Sequence, residues 1–181
     1  MPYAGIVLAG GAARRLSGVD KPGLVVGGSS LLSRAVAAVD GADPVVVVGP
    51  ERPGHEGVRW TREPVPGTGP VAALAAGLAL VPGDGVVVVL AADLPGVRKS
   101  TVDRLRAALA DADGAVLVDA AGERQWLLGA WRLPALRQAI PEPPENASLR
   151  RSLAGLSLVD VPAEPGESED IDTPADLERH R

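Results

Sequence analysis

Two runs of consecutive valines constrain the fold of this chain more than any other feature. "PVVVVG" (44–49) and "GVVVVLAAD" (85–93) are short, β-branched and continuously apolar. A strand with one solvated face alternates apolar and polar residues, whereas a continuous apolar run is typical of a strand covered on both faces. These runs therefore favour a sheet with helices packed on both sides.

Strand-like and helix-like segments alternate along most of the chain, which is typical of a parallel sheet. The segments predicted to be strands are 3–9, 44–49, 85–93, 114–119, 125–132 and 156–161. The segments predicted to be helices are 29–39, 69–80, 99–112, 133–140, 147–156 and 173–180. The aromatic run 125–132 is predicted as an edge or antiparallel strand. We expect a single Rossmann-like α/β domain over residues 1–181, with three α/β/α layers and a mainly parallel sheet.

Helix starts are marked by capping residues. The segment 29–39 begins with two serines that are predicted to cap its helix, and Ser100 is the predicted N-cap of the helix at 99–112. Thr173 is the predicted N-cap of the last helix, with Pro174 at its first position and Asp176 in its first turn.

Composition excludes several classes of function. The net charge of -5 leaves no basic excess for a nucleic-acid backbone, so we expect no nucleic-acid partner. No apolar run approaches the roughly 20 residues that span a bilayer, and we expect no membrane association. The absence of cysteine excludes disulfides and thiolate metal sites. The first residues lack a basic segment before the apolar run, so we expect no signal peptide and a cytoplasmic protein.

Ligands of parallel α/β sheets bind beyond the carboxyl ends of the strands. The predicted strand order along the chain places the loops 10–21, 49–57, 62–69 and 92–98 at that edge. We therefore expect these loops to border one crevice.

The loop "LAGGAARRLSGVDK" (8–21) is the most informative of them. Its spacing fits neither the dinucleotide fingerprint G-x-G-x-x-G nor the P-loop G-x-x-x-x-G-K-[ST], which disfavours an NAD(P)-dependent oxidoreductase. Gly10 and Gly11 have no Cβ, so their backbone amides can approach an anion closely. Arg15 and Lys21 supply charge that can follow phosphate oxygens during a transfer. The loop is predicted to hold a triphosphate.

The same string resembles the signature L-A-G-G-x-x-x-R-x-G-x-D-K of nucleotidyltransferases with a GT-A-like Rossmannoid fold. Among these it is most similar to the molybdenum cofactor guanylyltransferases. The Gly10-Gly11 pair fits the guanylyl branch, since the cytidylyl branch more often has alanine followed by glycine there. The resemblance covers residues 4–178. It implies transfer of GMP from GTP to molybdopterin with release of pyrophosphate, Mg²⁺ as the cofactor, and a molybdoenzyme or its chaperone as a protein partner.

Asp93 follows the longest buried strand, and its position at the carboxyl end places it beside the glycine loop. Mg²⁺ takes one or two carboxylates together with phosphate oxygens, so Asp93 is the predicted metal ligand, and the resemblance implies the same. The alternative is an aspartate that caps the turn before Pro95. "EDIDTPADL" (169–177) resembles the closing motif of the family; its Asp172 either completes the metal or phosphate site or only neighbours a helix cap.

The resemblance assigns roles residue by residue. The catalytic residues are expected to be Arg15, Lys21 and Asp93. The expected nucleotide-binding residues are Leu8, Ala9, Gly10, Gly11, Lys21, Glu63, Gly69 and Asp93. Trp126 and Trp131 either stack on a ring system or pack in the core, and Arg150 and Arg151 either contact the phosphate of a pterin or are solvated. Asp20 has no expected role beyond orienting or pairing with a neighbouring base.

Three departures from the family pattern leave alternatives open. Pro64 stands where the family often has aspartate, so that Glu63 is the nearest substitute; Gly49 stands in place of asparagine, and Trp126 in place of proline. One alternative is a nucleotidyltransferase for another acceptor or base, such as a molybdopterin cytidylyltransferase, a phospholactate guanylyltransferase or a sugar-phosphate enzyme. The other is a non-catalytic nucleotide-binding accessory protein.

Overall fold

The computed structural model describes residues 1–10 and 18–179 of the chain. The strands are β1 (Tyr3–Leu8), β2 (Val25–Val26), β3 (Ser29–Ser30), β4 (Val45–Val48), β5 (Arg59–Thr61), β6 (Val86–Ala91), β7 (Gly114–Val118), β8 (Arg124–Arg132) and β9 (Leu158–Pro162). The helices are α1 (Leu31–Ala38), α2 (Pro70–Leu78), α3 (Lys99–Ala108), α4 (Leu133–Ala139), α5 (Leu149–Leu153) and α6 (Pro174–Arg179).

Seven strands form one sheet in the order β5-β4-β1-β6-β8-β7-β9. β1 pairs in parallel with both β4 and β6, and β4 pairs in parallel with β5. β8 runs antiparallel to both of its neighbours, β6 and β7. β7 and β9 pair in parallel with each other. Because β8 is reversed, its first residues lie at the same edge of the sheet as the last residues of β6.

Helices cover both faces of this sheet, which confirms the α/β class. On one face, Leu32 of α1 and Leu105 of α3 pack with Val7 in a buried cluster. On the other face, Leu74 of α2 and Leu136 of α4 pack with Ile6. Ile6 and Val7 are consecutive in β1 and fully buried, as expected for a strand between two helical layers. Among the helices of the described residues, none is long and apolar enough to cross a membrane.

The strands predicted from apolar runs all form, with ends that differ by one or two residues. The aromatic run is indeed an antiparallel strand, but it lies inside the sheet rather than at its edge. Three strands were not predicted: β5, which has three residues, and β2 and β3, which form a hairpin. The hairpin takes Ser29 and Ser30, so α1 begins at Leu31, and the Ser30 hydroxyl accepts the amide of Ser33 at 3.0 Å.

The prediction that Ser100 caps α3 is wrong. The helix begins at Lys99, and its N-cap is Arg98. The amide of Arg98 donates to the Thr101 hydroxyl at 3.1 Å. Thr101 is fully buried, whereas Ser100 is exposed, so the side chain that faces the core also supplies the capping bond.

Residues 163–171 dock against the turn that follows β6. A Cβ built on Gly96 would lie 2.1 Å from the Gly166 carbonyl oxygen, so only glycine allows the two backbones to approach this closely. Glu167 is 4% exposed and accepts hydrogen bonds from the Thr101 hydroxyl at 2.5 Å and from the Arg104 guanidinium at 2.8 Å. Burial acts to raise the pKa of Glu167, but these bonds outweigh it and the pKa lies below its ordinary value.

Replacing Gly96 by alanine should loosen this docking. We expect Gly96→Ala to lower the free energy of unfolding by roughly 1–3 kcal/mol, because the added methyl group has to displace backbone rather than a flexible side chain. Urea unfolding measures the effect. Gly155→Ala is the matched control, since nothing lies within 4 Å of a Cβ at Gly155. Equal stability of the two variants would contradict the tight docking.

Candidate active site

A cleft of about 520 Å³ opens at the carboxyl edge of the parallel strands. Leu8 and Gly10 line it from the end of β1, Lys21 from the following segment, and Asp93 from the end of β6. The loop before α2 contributes Glu63, Gly67 and Gly69, and β8 contributes Leu127. Three of the four loops expected at this edge thus border the cleft. No residue of the fourth, 49–57, is among the described residues that line it.

The position of Asp93 follows from the burial of β6. Val87, Val88, Val89 and Leu90 are at most 1% exposed, and the strand is hydrogen-bonded to β1 on one side and β8 on the other. The strand ends at Ala91, and the chain delivers Asp93 to the cleft two residues later. The Asp93 carbonyl oxygen accepts the amide of Ile171 at 3.1 Å, which fastens the C-terminal segment to the same point.

Three carboxylates meet beside this hydrogen bond. Asp93, Asp170 and Asp172 each offer an oxygen, and these oxygens all lie within 4.8 Å of one another. Asp93 and Asp172 were expected here, whereas Asp170 was not. The spacing of two between Asp170 and Asp172 was the available signal, because alternate residues of an extended segment lie on the same side.

Lys21 contacts the same group of carboxylates. Its Nζ lies 2.5 Å from Oδ1 of Asp172, and both side chains are partly buried. Lys21 is the first residue of a short 3-10 turn, Lys21–Gly23, with Pro22 in its first positions. The structure therefore places a cation against a dense group of carboxylates at the end of the glycine loop.

Burial and the negative charges of neighbouring carboxylates both act to raise the pKa of Asp93. Its pKa is raised, chiefly by burial, while Lys21 lowers it and Asp170 and Asp172 raise it further. The pKa of Asp170 is also raised, again chiefly by burial and then by the charge of Asp172. A shifted pKa that has both a burial cause and named charged neighbours is typical of functional sites.

Glu63 and Gly69 shape the opposite wall of the cleft. Oε1 of Glu63 accepts the amide of Gly67 at 3.2 Å, so this carboxylate closes the turn before α2. Gly69 is the N-cap of α2 and has φ of 97°, a conformation that favours glycine. The start of α2 therefore faces the cleft with backbone amides that the helix itself does not use, a favourable place for an anion.

Asp172 also lies next to the hydrogen bonds that cap the start of α6, which is the alternative role predicted for it. The carboxylate of Asp176 accepts the amides of Asp172 and Thr173, and the Thr173 hydroxyl accepts the amide of Asp176. The Thr173 hydroxyl also donates to the Asp176 carboxylate at 2.7 Å, and this bond, with those from the Thr173 amide, the Arg179 guanidinium and the Asp172 amide, lowers the pKa of Asp176 to about 2. The Asp172 carboxylate itself lies with Lys21 and the acidic group, so the two interpretations describe different atoms of one residue.

Other residues expected at the site lie elsewhere or outside the described part of the chain. Gly11 and Arg15 are outside the described residues. Ala9 is 2% exposed, and its amide donates to the Val48 carbonyl oxygen at 2.8 Å, so its side chain belongs to the core.

The two tryptophans of β8 differ in their surroundings. Trp131 is 1% exposed and packs in the core, which confirms core packing for one of the pair. Trp126 is partly buried, with the Arg124 guanidinium 5.8 Å from its ring centre. Arg150 and Arg151 are exposed on α5.

The raised pKa of Asp93 predicts an unusual stability effect. A raised folded-state pKa means that the ionised form destabilises the fold; this cost is absent below the ordinary pKa and is complete above the raised one. We therefore expect Asp93→Asn to raise the melting temperature of the chelator-treated protein at pH 7, with a difference that shrinks toward pH 3.

Thermal unfolding monitored by circular dichroism measures this difference between Asp93→Asn and the unmodified protein. Asp103→Asn is the control, because Asp103 is half exposed and pairs with Lys99. A lower melting temperature for Asp93→Asn at pH 7 would show that Lys21 outweighs the burial and repulsion at Asp93.

Comparison with known proteins identifies the family. The MobA-like NTP transferase domain model matches residues 5–161. A molybdenum cofactor guanylyltransferase of Nitrobacter hamburgensis is 30% identical over 179 residues, covering 91% of this chain and 85% of the relative.

Solved structures share the fold. The molybdopterin-guanine dinucleotide biosynthesis protein A of Archaeoglobus fulgidus superposes with a TM-score of 0.74 at 22% identity, covering 99% of this chain and 96% of that one. The 2-C-methyl-D-erythritol 4-phosphate cytidylyltransferase of Thermus thermophilus superposes with a TM-score of 0.76 at 21% identity, covering 97% and 95%. The family match over most of the chain confirms the resemblance seen in the glycine loop: this protein belongs to the MobA-like NTP transferase domain family.

Proposed function

We propose that this protein transfers GMP from GTP to molybdopterin and releases pyrophosphate, forming the guanine dinucleotide cofactor. The observation that carries the proposal is the meeting of Lys21 with Asp93, Asp170 and Asp172 at the end of the glycine loop. The names of relatives that are 30% to 36% identical to this chain support the choice of substrates. The product would then pass to a molybdoenzyme or its chaperone, as the family resemblance implies.

The donor set fits Mg²⁺. Magnesium is a hard cation that prefers oxygen ligands and binds through one or two carboxylates, completing its shell with phosphate oxygens and water. Asp93 and Asp172 would hold the ion, with Asp170 beside them. When bound, Mg²⁺ supplies positive charge that neutralises the phosphate oxygens during the transfer.

Lys21 has a role that its surroundings define. Its ammonium group lies against Asp172, at a point where the oxygens of a triphosphate would enter the cleft. A compact cation there stabilises the negative charge that develops on the bridging oxygen as pyrophosphate departs. Arg15 would add a second cation to this function.

The glycine loop and the start of α2 would bind the rest of the nucleotide. Gly10 lines the cleft, and it would bind phosphate oxygens through its amide together with Gly11. Glu63 and Gly69 line the other side and would contact the guanosine. The choice of guanine rests on the Gly10-Gly11 pair and on the names of the relatives, since the same fold also occurs in a cytidylyltransferase.

The reaction needs positioning more than a strong base. The terminal phosphate of molybdopterin is already ionised at neutral pH, and its oxygen would attack the α-phosphorus in line. The bond from the α-phosphorus to the bridging oxygen breaks, and pyrophosphate leaves with the electron pair. Lys21 and the carboxylates would hold the reacting groups in this geometry.

The test is a transfer assay with purified protein, molybdopterin and Mg²⁺. We expect release of pyrophosphate and formation of the guanylylated pterin with GTP, and much slower reaction with CTP. Chromatography of the product identifies the base. Preference for CTP would favour the cytidylyl alternative, and nucleotide binding without pyrophosphate release would favour the accessory protein.

Variants of the site test the roles of its residues. We expect Lys21→Ala and Asp93→Asn to lower the rate of GMP transfer by at least about a hundredfold, because each removes charge stabilisation at the reacting phosphates. Lys99→Ala and Asp103→Asn are matched controls, since these exposed residues pair with each other on α3. Full activity of either site variant, with its fold intact by circular dichroism, would contradict the mechanism.

A further inference from the structure

Asp20, the residue before Lys21, is joined to a loop that does not line the cleft. The Arg52 guanidinium donates to both carboxylate oxygens of Asp20, with Nε 3.1 Å from Oδ2 and Nη2 bonded to Oδ1. Arg52 lies in the loop after β4, and its Nη1 donates to the Pro50 carbonyl oxygen at 3.0 Å. Its side chain is only 16% exposed, whereas that of Asp20 is 57% exposed. The arginine is therefore held by its own loop before it reaches Asp20.

The carboxylate of Asp20 does not accept a hydrogen bond from the 3-10 turn that follows it. Asp20 is the N-cap of the 3-10 turn Lys21–Gly23, where an aspartate ordinarily accepts amides of the turn. Here it makes no such side-chain bond. A Cβ built on Gly23 would lie 2.6 Å from Oδ2 of Asp20, so the glycine leaves room for the carboxylate to turn toward Arg52.

Adjacent residues thus connect to opposite sides of the site. Asp20 bonds to Arg52 in the loop after β4, and Lys21 bonds to Asp172 in the segment before α6. A two-oxygen bond to a planar guanidinium fixes orientation as well as distance. The direction in which Lys21 leaves the backbone is consequently set one residue earlier, by Asp20.

We propose that Arg52 is a positioning residue for the transfer reaction: through Asp20 it holds Lys21 where the α-phosphate is bound. This inference rests on the proposed function, because it assigns Lys21 to that phosphate. Arg52 acts through Asp20 and does not itself contact the nucleotide. Since ion pairs with an exposed partner contribute little to stability, removing this one should change the reaction far more than the fold.

A double-mutant cycle tests the proposal. We expect Arg52→Ala and Asp20→Asn each to lower kcat for GMP transfer about ten- to a hundredfold, because a misplaced catalytic group costs that much, with little change in the KM for GTP. The variant with both changes should be no slower than either single variant. Arg52→Lys keeps the charge but loses the planar fork, so it should restore only part of kcat. Arg59→Ala, which removes an exposed arginine of β5, should match the unmodified protein.

Two results would overturn the proposal. If the losses of the single variants multiply in the double variant, the residues act independently. If Arg52→Ala raises the KM for GTP while Asp20→Asn does not, Arg52 contacts the nucleotide directly.

Hydrogen exchange separates failure of the proposal from failure of the proposed function. In the nucleotide-free protein, the amides of residues 18–24 should exchange faster in both single variants, and equally fast. Unchanged exchange in both variants would refute the positioning role, whatever the activity. Faster exchange in the variants would support the role of Arg52 and Asp20 in positioning Lys21. If the unmodified protein also transferred no GMP, the proposed function would be refuted while that role remained.

Discussion

The carboxylates of Asp93, Asp170 and Asp172 repel one another, and the packing around them has to offset that repulsion. Among the described residues, Lys21 supplies a compensating charge beside Asp172, but burial of Asp93 and repulsion from Asp170 and Asp172 outweigh it and keep the pKa of Asp93 raised. Asp93 cannot withdraw, because the buried strand β6 ends two residues before it. The folded sheet thus keeps together carboxylates that would separate in the unfolded chain. Sites built to receive a divalent cation commonly have this character.

The C-terminal segment needs a separate anchor, because Asp170 and Asp172 lie outside any strand. Three contacts of different kinds contribute to that anchor. Gly96 and Gly166 approach through their backbones, the Ile171 amide bonds to the Asp93 carbonyl oxygen, and Glu167 is bound to α3 by a charged and a neutral donor. Glu167 is not among the described residues that line the cleft, and its bonds to α3 hold the segment that leads to the two carboxylates.

The sequence predicted several features that depend on local patterns. The valine runs of β4 and β6 indicate strands covered on both faces. The position of Asp93 at the cleft could be predicted from the end of β6. The glycine loop led to Lys21 because its spacing is specific. Asp170, the position of β8 inside the sheet rather than at its edge, and the bond from Arg52 to Asp20 depend on which segments meet in space. A stretch of 32 positions separates Asp20 from Arg52, and nothing in either local pattern indicates the pairing.

The residues at the two ends of the cleft are held in place by different kinds of contact. At the proposed phosphate end, Lys21 pairs with Asp172, the adjacent Asp20 pairs with Arg52, and Asp93 follows a buried strand. At the end formed by the loop before α2, hydrogen bonds hold the turn: the Gly67 amide donates to Glu63, the Thr68 hydroxyl to the Val65 carbonyl oxygen, and the Asn146 amide to the Thr68 carbonyl oxygen. Loops vary more than the scaffold that positions them, and one solved structure with the same fold is a cytidylyltransferase. We infer that the replacement of an acidic residue by Pro64 alters the recognition of the base, while the phosphate chemistry depends on residues that the fold holds in place.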